Sequence, residues 1–259
     1  MKNIFKITYL VILLLATMQQ VKAEEKVELL KTDWSFKGLF GKFDRGSLQR
    51  GYQVYTEVCA SCHSMKYLNY RNLSEKGGPE FSIEQAKTIA ASFEVTDGPN
   101  DDGEMFQRPG KLSDKFVMPY RNVKEAQAAN GGAYPPDMSV LAKARSGGVD
   151  YIYSVLLGYE DPPSGATLDD GVYYNKYMYG NNIKMSKPLY DGSVEYSDGT
   201  KATEEQMAKD VATFLMWAAE PHLEARHKVG FKAILYLIIL TILVYFSMKK
   251  IWSRIESKV

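Results

Sequence analysis

Cysteine is almost missing from this chain. Of 259 residues only Cys59 and Cys62 are cysteines. They stand three positions apart, which excludes a disulfide framework. Histidine is nearly as scarce, with His63, His222 and His227 alone. A structural zinc site wants four ligands, and His222 and His227 sit beside the C-terminal apolar run, badly placed to complete one. There is no internal repeat and no low-complexity tract. A basic footprint is missing too. The formal net charge is +1, but the two ends hold nine of the 32 bases and one of the 31 acids. The body, residues 24–227, therefore carries about −7 by the same count, which argues against nucleic acid as a partner. An acidic body suits a basic partner, since complementary charge steers encounter. It also serves solubility alone.

The two ends are apolar in different ways. Residues 1–23 carry Lys2 and Lys6, then the twelve-residue run Ile7–Met18, then Val21-Lys22-Ala23. That is the pattern of a secretory signal peptide, too short to span a bilayer comfortably. Neither Arg nor Ser occurs there, which sets it apart from a mitochondrial transit peptide and favours bacterial export. Near the other end, Ala233–Met248 is sixteen residues without a charge, and Val229–Ile251 makes a 23-residue span. It is expected to be one transmembrane helix, with Lys232, Lys249 and Lys250 snorkelling and Tyr245 and Trp252 at the interface. The expected organisation is a signal peptide at 1–23, a periplasmic domain at 24–228, the membrane helix at 229–251, and a cytoplasmic tail at 252–259. That places the protein in the bacterial inner membrane as a single-pass protein.

Within the body, residues 24–46 read as an approach segment anchored by Trp34, Phe36, Leu39 and Phe40. Ser47 to Ala60 reads as a helix, with Leu48, Tyr52, Tyr55 and Cys59 on one face. Gly51 inside it costs stability and is expected to admit another helix closely. Asp97 to Gly110 is expected to be a loop, acidic at Asp101, Asp102 and Glu104. Gly131 to Pro136 is a second loop. Short helices are expected over Asp137–Arg145 and Tyr151–Leu157. Residues 159–202 show little periodicity. Thr203-Glu204-Glu205-Gln206 predicts a capping box. It opens a helix with Met207, Val211, Phe214, Leu215 and Ala218 on one face, closed by Glu220-Pro221.

Cys59-Ala60-Ser61-Cys62-His63 carries the chemistry. The spacing is that of covalent haem attachment. Two thiols one turn apart add to the two vinyl groups on one edge of a haem, and the next imidazole reaches the iron from the same side. A thioredoxin-like redox pair shares the two cysteines but wants a βαβ setting, and none is legible. Inert buried cysteines are the remaining alternative. An electron carrier also wants a sixth ligand, so that oxidation state changes with little rearrangement; methionine sulfur raises the potential relative to a second histidine. Downstream candidates are Met65, Met105, Met118, Met138, Met178, Met185, Met207 and Met216. Met65 is too near His63, and Met207 and Met216 fit a helix core. Met185 is favoured because Pro188 stiffens its loop, with Met178 second.

Several further segments carry a resemblance. They are Arg50-Gly51-Tyr52-Gln53-Val54-Tyr55 ahead of the haem motif, Asp97-Gly98-Pro99-Asn100, Arg108-Pro109-Gly110, Ala128 to Ala133 with Pro135-Pro136-Asp137-Met138-Ser139, Ala144-Arg145-Ser146-Gly147-Gly148, and Phe214 to Pro221 before the membrane helix. Together they resemble the cytochrome c1 family, the haem c subunit of the ubiquinol–cytochrome c oxidoreductase complex, over essentially the whole mature chain. The resemblance implies a mainly α cytochrome c fold with long loops plus one C-terminal transmembrane helix. It implies one covalently bound haem c with His63 and Met185 as axial ligands, Arg145 near a propionate, and Pro135 and Pro136 lining the pocket. The residue after Met185 is Ser186, where relatives often have a small apolar residue. The implied partners are a cytochrome b subunit, a Rieske iron–sulfur subunit that donates the electron, and a soluble cytochrome c that accepts it. Such a subunit is an electron-transfer part of an oxidoreductase and transforms no substrate by itself. The competing classes are a haem catalyst or gas sensor with an open iron position, and a tethered carrier serving an oxidase outside the quinol complex.

Overall fold

The computed structural model describes residues 27–256. The expected signal peptide at 1–23 and the last three residues of the expected tail lie outside the described residues.

Helix α1 spans Arg45–Val54. It starts two residues before the expected Ser47 because the Asp44 carboxylate accepts from the Ser47 N–H at 2.7 Å, a side-chain cap on an otherwise orphaned donor. Its continuation, Tyr55–Cys59, widens into a π turn, with the Ala60 N–H donating to the Tyr55 carbonyl at 2.8 Å. The chain then runs through a 3₁₀ turn, Tyr70–Ser74, to α2, Ile83–Ala91. The expected loop over 97–110 is partly wrong. Strand β1, Glu94–Asp97, pairs antiparallel with β2, Phe106–Pro109, and only residues 98–105 form the connecting loop. Arg108 holds this ribbon down, pairing with Asp97 and with Asp114.

Helix α3 is Val123–Ala129. The helix expected over Asp137–Arg145 shrinks to α4, Leu141–Ala144. The reason is local: the backbone of 136–139 is used to hold residues 63–67, as described below, so it cannot enter a helix. Helix α5 is Gly148–Leu157. Two-residue strands β3, Tyr173–Tyr174, and β4, Asn182–Ile183, punctuate the aperiodic stretch.

Helix α6, Glu204–Ala219, is the central beam. Met207, Val211, Phe214, Leu215 and Ala218 are all buried, as their spacing requires. Thr203 caps it, accepting from the Gln206 N–H at 3.2 Å. The capping box stays half made, because the Gln206 amide turns instead to Asp210 at 3.0 Å. Asp210 has no solvent exposure, and a buried carboxylate takes every donor within reach. Ser47 donates to it at 2.6 Å and Arg50 at 2.8 Å. These bonds pin α1 across α6. Gly51 sits at the crossing: a Cβ there would lie 2.1 Å from the Asp210 carbonyl oxygen, so glycine alone permits the approach. Aromatic rings fill the space around it. Tyr55 lies 5.8 Å from Phe214 and 6.1 Å from Phe116, and Phe116 stacks on Tyr70 at 4.9 Å.

Trp34 and Phe36 are buried anchors, as expected. Leu39 and Phe40 are not, being 61% and 70% exposed. Their turn passes beside helix α7, Leu223–Glu256, where the Phe40 ring meets Phe231 at 5.6 Å. Among the described residues α7 is the one helix long and apolar enough to cross a membrane, and none of its apolar window is buried. At 1.5 Å per residue its 34 residues reach about 51 Å, well beyond the ~30 Å hydrocarbon core. The helix begins six residues before the expected Val229. That first stretch is docked to the domain: Glu224 accepts two bonds from the Arg45 guanidinium, at 2.8 and 3.0 Å, and one from the Phe43 N–H at 3.0 Å.

Candidate functional site

The site grows from the end of α1. Helix hydrogen bonding carries past the π turn, with the Cys62 and His63 N–H groups donating to the Cys59 carbonyl at 3.1 and 2.9 Å. The two cysteines therefore stand one turn apart, both as free thiols and both half-buried. Burial, then the neighbouring Cys62, push the Cys59 thiol up to about 12.

His63 follows at once. Its Nδ1 lies 2.8 Å from the Pro136 carbonyl oxygen. A carbonyl only accepts, so Nδ1 carries the proton and Nε2 keeps its lone pair. Burial holds the imidazole below its ordinary range, and the Pro136 contact opposes that in part. The neutral ring is the form that ligates a metal. Tyr55 adds a second tether, its hydroxyl donating to the His63 carbonyl at 3.2 Å.

Asp137 is the residue that organises this half of the site, and sequence reasoning did not single it out. One carboxylate oxygen accepts from the Ser64 hydroxyl at 2.7 Å and the Lys66 N–H at 3.1 Å; the other accepts from the Ser139 N–H at 3.0 Å. The Met138 N–H donates to the Ser64 carbonyl at 2.8 Å, and the Ser139 hydroxyl accepts from the Tyr67 N–H at 3.1 Å. Residues 136–139 and 63–67 are thereby laced together. Burial works against the Asp137 charge, and the bonds from Ser139, Ser64 and Lys66 outweigh it, so its carboxyl sits below the ordinary range. The only sequence signal for this was Asp137's place in the Pro-Pro-Asp-Met-Ser segment.

The structure thus joins Cys59, Cys62, His63 and Pro136 in one unit. Met185 belongs to a different unit. Its carbonyl accepts from the Tyr159 hydroxyl at 3.0 Å. The neighbouring Lys184 donates to the Gly131 carbonyl at 3.1 Å, which sets the Met185 loop against the loop that ends in Pro135 and Pro136. Behind it Asn175, fully buried, donates to the Val155 carbonyl at 2.8 Å and accepts from the N–H groups of Tyr177 and Met178. Neither Tyr159 nor Asn175 left a trace in the pattern. Arg145 follows α4; it is exposed, and its guanidinium reaches its neighbour's Ala144 carbonyl at 3.2 Å.

The other methionines are accounted for. Met65 and Met207 are fully buried, Met138 is 8% exposed, and Met216 packs against the core. Met105 and Met118 are 60% and 51% exposed. The Met178 sulfur receives the Tyr151 hydroxyl at 3.2 Å. Met185 is half-buried, with no hydrogen bond to its sulfur among the described residues.

The chain is similar to known proteins over most of its length. The family model described as the Cytochrome C1 family matches residues 34–255. "Cytochrome c1" of Rhodospirillum rubrum is 45% identical over 249 residues, covering 90% of this chain and 90% of the relative. "Cytochrome c1-2, heme protein, mitochondrial" of Solanum tuberosum is 48% identical over 237 residues, covering 92% and 90%. "Cytochrome b/c1" of Bradyrhizobium diazoefficiens is 49% identical over 261 residues; it takes in 93% of this chain, which spans only 38% of that longer protein.

Proposed function

Since the chain belongs to the cytochrome c1 family, we propose that it is the membrane-anchored haem c subunit of a cytochrome bc1 complex, taking one electron from a Rieske iron–sulfur subunit and handing it to a soluble cytochrome c. The contact between His63 and Pro136 carries this reading. It presents a neutral imidazole with a free Nε2, one residue beyond two free thiols one turn apart, which is the donor set a covalently attached haem needs.

Cys59 and Cys62 would hold the macrocycle by thioether bonds, and His63 would ligate its iron. Met185 is proposed as a second iron ligand, because its sulfur is neither locked in the core nor engaged by a donor. Pro135 and Pro136 would line the pocket. Arg145, unpaired with any carboxylate among the described residues, would face a haem propionate, where its planar fork makes two charge-assisted bonds. When bound, the haem iron supplies a site that holds or releases one electron. The chain's own residues keep both ligands fixed through that change: His63 through Pro136 and Tyr55, Met185 through Tyr159. In this reading the subunit transfers electrons and leaves quinol chemistry to a cytochrome b partner.

Residues 1–23 are proposed as a cleaved signal peptide, 24–228 as the periplasmic haem domain, 229–251 as the bilayer span, and 252–259 as a cytoplasmic tail in the bacterial inner membrane. Asp101, Asp102 and Glu104 sit exposed on the 98–105 loop, without an ion-pair partner among the described residues. They would help dock a basic acceptor.

Visible spectra of the purified protein, oxidised and reduced, with and without carbon monoxide, test the reading. A c-type reduced spectrum, a methionine–ferric band lost in Met185→Ala, and no response to carbon monoxide in the native protein are expected. A strong carbon monoxide shift in the native protein would mean an open iron position and a catalytic or sensing haem. Co-purification with cytochrome b and iron–sulfur subunits separates the complex from a free-standing carrier.

A further inference from the structure

A cavity of about 420 Å³ lies where the haem domain meets α7, lined by Phe40, Lys42, Glu224, His227, Lys228, Phe231 and Lys232 among others. Its charge is one-sided. Glu224, its sole carboxylate, is already taken by Arg45 and the Phe43 N–H. None of the ammonium groups of Lys42, Lys228 and Lys232 has a carboxylate within ion-pair distance among the described residues. Three ammonium groups without an ion-pair partner among the described residues, around one hollow whose only carboxylate is already held by Arg45, fit an anion.

The height of the cavity says which anion. Lys232 is the last charge before the uncharged run 233–248. The stretch from Glu224 to Lys232 rises about 12 Å along the helix, which is headgroup depth when the run fills the hydrocarbon. The aromatic pair Phe40 and Phe231, 5.6 Å apart, gives the same wall an apolar surface. A soluble anion has no use for that wall; a lipid has a use for both parts. We propose that this cavity is a binding site for the phosphate of an anionic phospholipid in the leaflet on the haem-domain side. Lys42, Lys228 and Lys232 bind the headgroup, and Phe40 and Phe231 lie against its upper acyl chain. The proposal rests on α7 spanning the membrane.

The test uses the haem-loaded full-length chain, in whatever complex it purifies with, reconstituted into phosphatidylcholine nanodiscs. Trace phosphatidylglycerol or phosphatidylcholine carries a photoactivatable group beside the phosphate, and labelled peptides are mapped by mass spectrometry. One basic side chain at an anionic surface contributes on the order of a fivefold preference. The phosphatidylglycerol probe should therefore label residues 39–42 and 227–232 at least about fivefold more than the phosphatidylcholine probe. In Lys42→Gln/Lys228→Gln/Lys232→Gln the ratio should fall to about one, with the haem spectrum unchanged. Equal labelling by the two probes, or protection of these peptides by another subunit, would overturn the proposal. A third probe, photoactivatable at mid-acyl chain, labels 233–248 if α7 spans. Its failure would sink the membrane reading itself and is told apart from failure of the headgroup site.

Discussion

Tyr159 offers a direct probe of how the proposed second ligand, Met185, is held. Its hydroxyl donates to the Met185 carbonyl at 3.0 Å. Burial pushes its pKa far above the ordinary range, so it remains a neutral donor at every working pH. Its backbone is bridged to Asn175, the buried hub of the loop. Tyr159→Phe keeps the ring and removes one hydrogen bond. A neutral bond of this kind contributes about 1 kcal/mol net, which is roughly a fivefold change in an equilibrium constant. If that bond favours the held loop over a loop with the sulfur withdrawn, the ligand-off population rises about fivefold in the variant. The rate at which imidazole or cyanide enters the ferric protein follows that population. Stopped-flow mixing should show entry about fivefold faster in Tyr159→Phe. The methionine–ferric band should persist at rest, and it should vanish only in Met185→Ala. Entry unchanged within about twofold, with thermal stability lowered, would mean that Tyr159 packs the loop without positioning the ligand.

Two other outcomes follow from named groups. The Asp137 carboxyl is held below the ordinary carboxylate range by the bonds from Ser139, Ser64 and Lys66, so its contribution to stability is full above about pH 4 and is lost as pH falls through the depressed value. Thermal melts at pH 7, 4 and 3 should show Asp137→Asn less stable than the native protein at pH 7, with the gap closing towards pH 3; a constant gap would show that the charge is irrelevant. Neutralising Asp101, Asp102 and Glu104 together should slow association with a basic cytochrome c at low salt and flatten its salt dependence. A flat salt profile in the native protein already would remove these residues from the docking surface.

What could be read in advance divides along sequence distance. The haem motif, the capped α6 and the apolar C-terminal run are local patterns. A period of 3.6, a cap or an uncharged stretch declares itself within a few residues. Gly51 was legible as a close approach for the same reason, since a glycine in a helix interior is costly unless it is used. Asp210, Asp137, Tyr159 and Asn175 were not legible. Each matters through partners 20 to 160 residues away, and a polar residue inside a helix or loop gives no hint of which distant donor it meets. The errors have the same origin. Gln206 was assigned to the capping box on local spacing, and a carboxylate buried by tertiary packing drew it away. Leu39 and Phe40 read as anchors because they are apolar, yet both are exposed, and the Phe40 ring meets Phe231 of α7 in place of the core. The ribbon over 94–109 was hidden because its turn, residues 98–105, is as long as its two four-residue strands together.

The same long-range bonds decide how the haem domain is carried. A single membrane helix joined by a flexible linker would let the domain swing, with reach set by chain statistics. Here no such linker exists. Glu220, capping the end of α6, pairs with Lys143 at 2.6 Å and with Arg226 on α7. Three residues separate the two helices. Glu224 then fastens α7 to Arg45 and Phe43, at the very start of the helix that ends in the cysteines. Burial works against the Glu224 charge, and the Arg45 bonds and the Phe43 N–H overcome it, keeping the carboxyl below its ordinary range. The helix bearing Cys59 is therefore tied at its N-terminal end to the first turn of α7 and at its middle to α6. With α7 in a bilayer, the height of Cys59 and His63 above the membrane is set by packed helices and buried ion pairs. Under the proposed function, electron exchange at this subunit depends on partners coming to a fixed site, because the anchor leaves the haem domain little freedom to travel to them.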